Sequence, residues 1–183
     1  MDTVRSFKEL SKTRLKTLRS SGDTSLGLQQ VQHRVATDAG YRSWSALLGA
    51  DERDRQLALV MTPEPHLNIY GFGPGSFSKT LEQRREEFEQ RRGELRASAS
   101  HVDEVRAWLA ANIAPRRTLN TQVGSYALKH LAEEDLGDYV ANGELIAAAI
   151  IAGYPYRRGG DGSPNAVFGV RSRSITVLRQ RLR

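Results

Sequence analysis

Residues 120–153, NTQVGSYALKHLAEEDLGDYVANGELIAAAIIAG, decide the fold because two capped helices follow each other there without a gap. Apolar residues recur at spacings of three and four in the first half, which predicts a helix that begins at Asn120 or Thr121 and ends at Gly137. Asn142 caps a second predicted helix. Because this second helix is apolar on nearly every side, we expect it at the centre of a core.

A β-hairpin is predicted directly after these helices, at residues 154–170, YPYRRGGDGSPNAVFGV. Two short runs of aromatic and β-branched residues flank GGDGSPN, which is a strong turn signal. The order helix, turn, helix, hairpin is that of a winged helix. In that fold the loop would be a wing with Arg157 and Arg158 at its base; in the alternative interpretation these arginines only keep an edge strand soluble.

Positive charge is concentrated at the end of the chain. The last thirty residues hold seven arginines and one aspartate, so they account for the whole net charge of +6. Arginine pairs with phosphate or carboxylate through two parallel hydrogen bonds, and a basic end on an otherwise near-neutral domain is typical of phosphate-backbone binding. The predicted nucleic-acid contacts are Arg157, Arg158, Arg171, Arg173, Arg179 and Arg181.

The chain is predicted to be mainly helical, of the α+β class, with four parts. Residues 1–61 form a small unit of three helices, with residues 51–61 continuing as a helix or a strand, and residues 62–76 form a proline- and glycine-containing linker. Residues 77–98 form a long charged helical arm that breaks near Ser98. Residues 101–183 form the winged-helix-like domain with its basic tail, which ends in an amphipathic helix.

The charged arm carries a narrow apolar strip, Leu81, Phe88 and Leu95, with a spacing of seven residues. Such a strip packs along one line, either against the chain's own N-terminal unit or against a second copy. A homodimer through this strip is therefore one hypothesis for the oligomeric state.

Two stretches resemble proteins of bacterial plasmids and integrating elements that are poorly characterised. One is the N-terminal HRVATDAGYRSWSALL, and the other is SYALKHLAEEDLGDYVANGELIAAAIIAGY with the PNAVF that follows it. The resemblance implies mobile-element biology, but it brings no known activity and no catalytic residues.

The composition excludes several classes of site. The chain has no cysteine, so disulfides, thiol catalysis and cysteine-ligated zinc are absent. The four histidines have no metal-ligand spacing, so neither a metal nor another cofactor is expected. No stretch has the length and apolar character of a membrane span or of a signal peptide, which predicts a cytoplasmic protein.

Two patterns could indicate an enzyme. GPGSFSKT, residues 73–80, is similar to a phosphate-binding loop, but Ser78 replaces its second glycine. His130 lies one turn after Tyr126 and beside Glu133, which could support acid-base chemistry on RNA but is more typical of a hydrogen-bonded surface group. We therefore expect no catalysis.

The sequence favours non-catalytic nucleic-acid binding, to DNA rather than RNA and with low sequence specificity. The predicted recognition helix has almost no polar side chain with which to read bases, so contacts would go to the backbone. The alternative is a protein-interaction module or inhibitor, in which the apolar helix and the arm dock on a macromolecular machine.

Overall fold

The computed structural model describes residues 2–73, 80–160 and 162–183. It divides the chain into two compact units, Met1–Pro63 and Glu64–Arg183, so the division falls within the predicted linker. The described residues form nine helices and two antiparallel hairpins of two strands each, which confirms the mainly helical class. None of these helices combines the length and the apolar composition needed to cross a lipid bilayer.

The described part of the first unit has four helices. They are α1, Thr3–Ser20; α2, Leu28–Asp38; α3, Trp44–Gly49; and α4, Glu52–Met61. The sequence predicts either a helix or a strand for residues 51–61, and α4 shows that this stretch is helical. Asp51 caps it, because its side chain accepts a hydrogen bond from the N–H of Arg53 at 2.9 Å.

The core of the first unit forms where α1, α2 and α3 meet. Phe7, Val31 and Leu47 are fully buried there. Ser11 is also fully buried on the same face of α1, where its hydroxyl donates to the carbonyl oxygen of Phe7 at 2.9 Å. Because a small hydroxyl satisfied within its own helix can occupy a core position, the buried face of α1 cannot be read from its apolar residues alone.

The second unit contains both hairpins and five helices in its described part. In chain order they are β1, Leu67–Asn68; β2, Gly71–Phe72; α5, Leu81–Ala97; α6, Ala99–Asn112; α7, Ser125–Leu136; α8, Asn142–Ile151; β3, Tyr156–Arg158; β4, Ala166–Phe168; and α9, Ser172–Arg181. The break between α5 and α6 lies at Ser98, as the sequence predicts.

Part of the predicted linker is a packed hairpin in the second unit. β1 and β2 pair with each other, and Leu67 and Phe72 are buried. Arg92 of α5 fixes the strand entry, because its Nη1 donates to the carbonyl oxygens of residues 64, 65 and 67 at 2.9 to 3.1 Å. The prolines forbid a helix here, but they do not prevent this hairpin.

The three residues of the apolar strip on α5 differ in how deeply they are buried. Leu95 is fully buried within the second unit, whereas Leu81 is 76% exposed and Phe88 is half-buried. Leu95 is therefore unavailable to a second copy in this conformation. The homodimer stays a prediction, with only the first half of the strip to support it.

α7 begins later than predicted, at Ser125, and neither Asn120 nor Thr121 caps it. The side chain of Asn120 instead joins the end of β4, where its Nδ2 donates to the carbonyl oxygen of Val170 at 3.3 Å. Gly137 ends the helix in the left-handed conformation, with φ of 72°, as the sequence predicts.

α8 is the centre of the second unit, as its apolar composition predicts. All eight residues from Asn142 to Ala149 are buried. Asn142 is the first residue of the helix rather than its cap, and its Nδ2 donates to the carbonyl oxygens of Tyr70 and Pro164, both at 3.2 Å. α8 therefore links the β1–β2 hairpin to the loop of the β3–β4 hairpin.

Candidate nucleic-acid interface

The β3–β4 hairpin is extended by the connection between α6 and α7. On its free side β4 makes an antiparallel bridge from Val167 to Gly124, and Val170, two residues after β4, makes a second one to Pro115. β4 therefore lies between β3 and this connection, and the element order from α6 onward is helix, edge segment, helix, helix, strand, strand.

Arg157 lies on the outer face of this hairpin. It pairs with Val167 across the strands, while the residues on either side of it in β3 are turned toward the core. Its side chain is exposed and makes no hydrogen bond or ion pair with any other described residue. No described residue therefore competes with an external anion for the guanidinium of Arg157.

The side chain of Arg158 makes contacts within the second unit. Its guanidinium forms an ion pair with the buried Glu64 and lies over the ring of Phe72, with 4.7 Å from Cζ to the ring centre. Tyr156 donates its hydroxyl to the same carboxylate, and burial raises the pKa of this tyrosine. The guanidinium of Arg158, which the sequence predicts to contact phosphate, thus makes an internal contact between the two hairpins.

Arg171 and Arg173 lie at the entry to α9 and are exposed. Arg171 is anchored through its backbone, since its N–H donates to the carbonyl oxygen of Ala114 at 2.9 Å. Neither guanidinium has a carboxylate partner among the described residues; that of Arg171 makes only a long contact of 3.4 Å to the carbonyl oxygen of Pro115.

Arg117 is a further exposed arginine, which no pattern in the sequence indicates. Its neighbour Arg116 donates its N–H to the carbonyl oxygen of Gly169 at 2.8 Å, so the α6–α7 connection brings Arg117 close to the segment that leads into α9. More than fifty residues separate these segments in sequence, and only their backbone pairing could have identified the site. We call Arg117, Arg157, Arg171 and Arg173 the open arginines.

Arg179 and Arg181 do not share one face of α9. At 3.6 residues per turn they point about 160° apart around the helix axis. Arg181 binds Asp135 of α7 at 2.5 Å and the side-chain oxygen of Asn112 at 3.1 Å. Trp108 donates to the same carboxylate at 2.7 Å, so Arg181 belongs to a structural network.

A groove of about 500 Å³ runs between the end of α6 and α9. Its apolar lining includes Ala111 and Val177, and Val177 is 57% exposed. Three arginines line it, namely Arg171, Arg173 and Arg181. The sequence-predicted residues that the structure brings together are therefore these three, whereas Arg157 lies on the hairpin.

The helix that a winged-helix protein would place in the DNA groove is closed off. The first turn of α8 is covered by the β1–β2 hairpin, because the N–H of Gly143 donates to the carbonyl oxygen of Ile69 at 2.8 Å. Its only charged side chain, Glu144, is 5% exposed, accepts a hydrogen bond from the N–H of Ala141 at 2.8 Å and lies 3.1 Å from Nδ1 of His101. α8 therefore offers nothing to base edges.

The predicted cluster around His130 is present on α7. Its ring meets that of Tyr126 edge to face with 4.5 Å between the centres, and Nδ1 lies 2.7 Å from Oε2 of Glu133. The other oxygen of Glu133 accepts from Lys129 at 2.5 Å and from the N–H of Val140 at 3.2 Å. Each charged partner is thus already used in holding the turn between α7 and α8.

Burial alone would raise the pKa of Glu133. The hydrogen bonds from Lys129 and from the N–H of Val140, together with the positive charge of Lys129, outweigh burial and hold this pKa below its ordinary value. A carboxylate fixed in its ionised form in this way suits a structural role better than proton transfer near neutral pH.

The described residues contain no group of three or more histidine, aspartate or glutamate side chains that could hold a metal ion. The loop residues 74–79, which include Ser78, lie outside the described part of the chain. Comparisons with protein-family models, with curated proteins and with solved structures gave no match to this chain. The resemblance to proteins of plasmids and integrating elements therefore stays a hypothesis.

Proposed function

We propose that the second unit is a winged-helix-like domain that binds the phosphate backbone of duplex DNA without catalysis and with little sequence specificity. The observation that carries the proposal is the set of open arginines, Arg117, Arg157, Arg171 and Arg173, which are exposed and have no carboxylate partner among the described residues. Because the sequence resembles proteins of mobile elements, we also propose that the protein originates from a plasmid, an integrating element or a phage.

The element order supports the winged-helix assignment. α6, the connection at Pro115 and Gly124, α7, α8, β3 and β4 follow in the winged-helix order, and the connection pairs with β4 to complete a small sheet. The fold departs from this pattern at α8, which is buried on all sides.

Burial of α8 supports backbone contacts in place of base contacts. Phosphate contacts from arginine position a protein on DNA but carry no sequence information. Duplex DNA fits better than a single strand, because the groove beside α9 has arginines but no aromatic side chain on which unpaired bases could stack.

Arg157 and Arg158 provide a matched test, because they are adjacent and only one of them is free. The measurement is fluorescence polarisation with a random-sequence duplex at several salt concentrations. Arg157→Gln alone should reduce the magnitude of the slope of log K against log salt by about 0.9, which is the contribution of one phosphate contact. The triple variant Arg157→Gln, Arg171→Gln and Arg173→Gln should reduce it by about 2.7. Arg158→Gln should leave the slope unchanged.

Substituting the arginines tests the proposal more specifically than removing α9 does. Ile175 and Leu178 of α9 are buried, so a chain that ends before α9 would lose core contacts together with its arginines. An equal slope for the triple variant and the natural protein would contradict the proposal, provided that circular dichroism shows both to be folded.

A protein-interaction module is the second candidate, and exposed tyrosines favour it. Tyr126 is 56% exposed and Tyr139 is 63% exposed, and Lys129 lies between their rings. Tyrosine is enriched at the centres of protein interfaces. Since α8 is buried, this surface on α7 and the turn that follows it replaces the apolar helix in that hypothesis. A partner bound here should be lost with Tyr126→Ala and show little dependence on salt.

A further inference from the structure

α1 carries most of the positive charge of the first unit. It has six basic residues and one acidic residue, whereas residues 21–63 have four basic and five acidic ones. The positive charge of the first unit is therefore concentrated in α1, as the net charge of the whole chain is concentrated in its last thirty residues.

Helix geometry gathers five of the six cations of α1 into one line. At 100° per residue they fall within a sector of about 80° around the helix axis. We call them the α1 stripe, and they are Arg5, Lys8, Lys12, Lys16 and Arg19, all exposed. The sixth, Arg14, points away from the stripe and pairs with Asp38 of α2.

Most of the α1 stripe has no ion-pair partner among the described residues. Lys12 binds Glu9 at 2.9 Å in a pair that is about 60% exposed on both sides. The side chains of the other four form no ion pair with a described residue. Along the axis the stripe extends about 21 Å, which corresponds to about six base pairs of duplex DNA.

Helix stability does not account for the stripe. The positive end of the helix dipole lies at the N-terminus, so cations stabilise the last turn and destabilise the first. Arg19 fits that rule, but Arg5 and Lys8 lie in the first two turns, and the first turn has no acidic residue. The N-terminal half of the stripe thus opposes the stability of its own helix.

The buried face of α1 argues against a membrane as the partner. A helix that lies in a lipid surface inserts an apolar face. In α1 that face, with Phe7 and Leu15, is buried in the core of the first unit. What remains exposed is a line of cations beside a groove of about 370 Å³, which Lys12, Lys16, Arg19 and Leu28 help to line.

We propose that the α1 stripe is a second site for the phosphate backbone of duplex DNA, separate from the open arginines of the second unit. Five cations in one line on a rigid helix match a regular row of phosphates. The site does not depend on the open arginines, so each can be tested without the other.

The test compares two variants of the full chain that lose the same charge. The stripe variant carries Arg5→Gln, Lys8→Gln, Lys16→Gln and Arg19→Gln, and it keeps the pair between Lys12 and Glu9. The control carries Arg14→Gln, Arg34→Gln, Arg42→Gln and Arg53→Gln, which lie outside the stripe in the same unit. Glutamine favours helices, so α1 should remain folded, which circular dichroism checks.

Fluorescence polarisation with a random-sequence 20-base-pair duplex gives the slope of log K against log salt. The stripe variant should lose about 3 to 4 from the magnitude of this slope, and the control should lose less than half as much. An unchanged slope in the stripe variant, or equal losses in both variants, would overturn the proposal. Stripe-dependent binding to phosphatidylserine vesicles with no change on DNA would also overturn it and assign the stripe to lipid.

The triple variant of the open arginines separates the two sites. A loss of slope in that variant alone supports the second unit and overturns the α1 site. A loss in the stripe variant alone supports the α1 site and overturns the function proposed for the second unit.

Discussion

Arg157 and Arg158 are neighbours in the chain, but β3 turns their side chains to opposite faces of the hairpin. One is exposed, and the other pairs with Glu64, which lies 94 positions earlier. Alternation along a strand could have shown that they differ, but not which of them faces inward. That choice depends on a carboxylate whose position only the fold reveals.

Glu64→Gln should destabilise the second unit by about 1–2 kcal/mol, because Arg158 and Tyr156 lose a charged acceptor that is 8% exposed. Urea unfolding measures the change. The matched control is Glu86→Gln on the exposed side of α5, which should change the unfolding free energy by less than about 0.5 kcal/mol. Equal effects would show that the buried pair contributes little.

Gly143 lacks room for a side chain, whereas Gly93 has it. A Cβ at Gly143 would collide with the carbonyl oxygen of Asn68, while one at Gly93 in α5 meets no atom within 4 Å. Gly143→Ala should therefore cost about 1–3 kcal/mol, and Gly93→Ala should stabilise the protein by about 0.5–1 kcal/mol. Thermal unfolding of the two variants shows whether the midpoints move in opposite directions.

At the level of elements, the helices were predictable because their signals are local. Gly137 ends α7 and Ser98 separates α5 from α6, as the sequence indicates. The β1–β2 hairpin was missed because strands of two residues have no alternating pattern. The start of α7 was misplaced because Asn120 makes its contact with Val170, fifty residues away, which no local rule contains.

The turn between α7 and α8 should respond to acid through Glu133. Since the folded state lowers the pKa of Glu133 below its ordinary value of 4.5, the stabilisation is present above about pH 4.5 and is lost as the pH falls through the folded pKa. Glu133→Gln should therefore lower the unfolding free energy by about 1–3 kcal/mol at pH 7, and by progressively less in acid.

Urea unfolding at pH 7, 5 and 3 tests this expectation. The control is Glu134→Gln, because Glu134 is the exposed neighbour of Glu133. The difference in unfolding free energy between Glu133→Gln and the natural protein should shrink in acid. If this difference stayed constant from pH 7 to pH 3, the effect would come from packing and not from charge.

At the scale of the whole molecule, the sequence locates the positive charge but not its availability. Seven arginines in the last thirty residues are visible in the sequence, yet Arg158 and Arg181 are held by carboxylates. Exposure depends on tertiary partners, so the sequence shows neither which of these arginines are held internally nor that Arg117 is exposed.

Affinity for DNA should vary little with base sequence, because α8 has no exposed polar side chain for reading bases. We expect unrelated 20-base-pair duplexes to differ by less than about tenfold in Kd, whereas specific binders prefer their sites by about 10³ or more. Competition between a labelled duplex and a random pool measures the ratio. A preferred sequence emerging from repeated selection would refute low specificity.

Asn142 connects three segments that are far apart in the chain. Its Nδ2 bonds to the carbonyl oxygen of Tyr70, 72 positions earlier, and to that of Pro164, 22 positions later. Closing such long loops costs chain entropy, and this cost is offset only when most of the structure has formed. This junction should therefore form after the rate-limiting step of folding, so that Asn142→Ala speeds unfolding and leaves the folding rate almost unchanged.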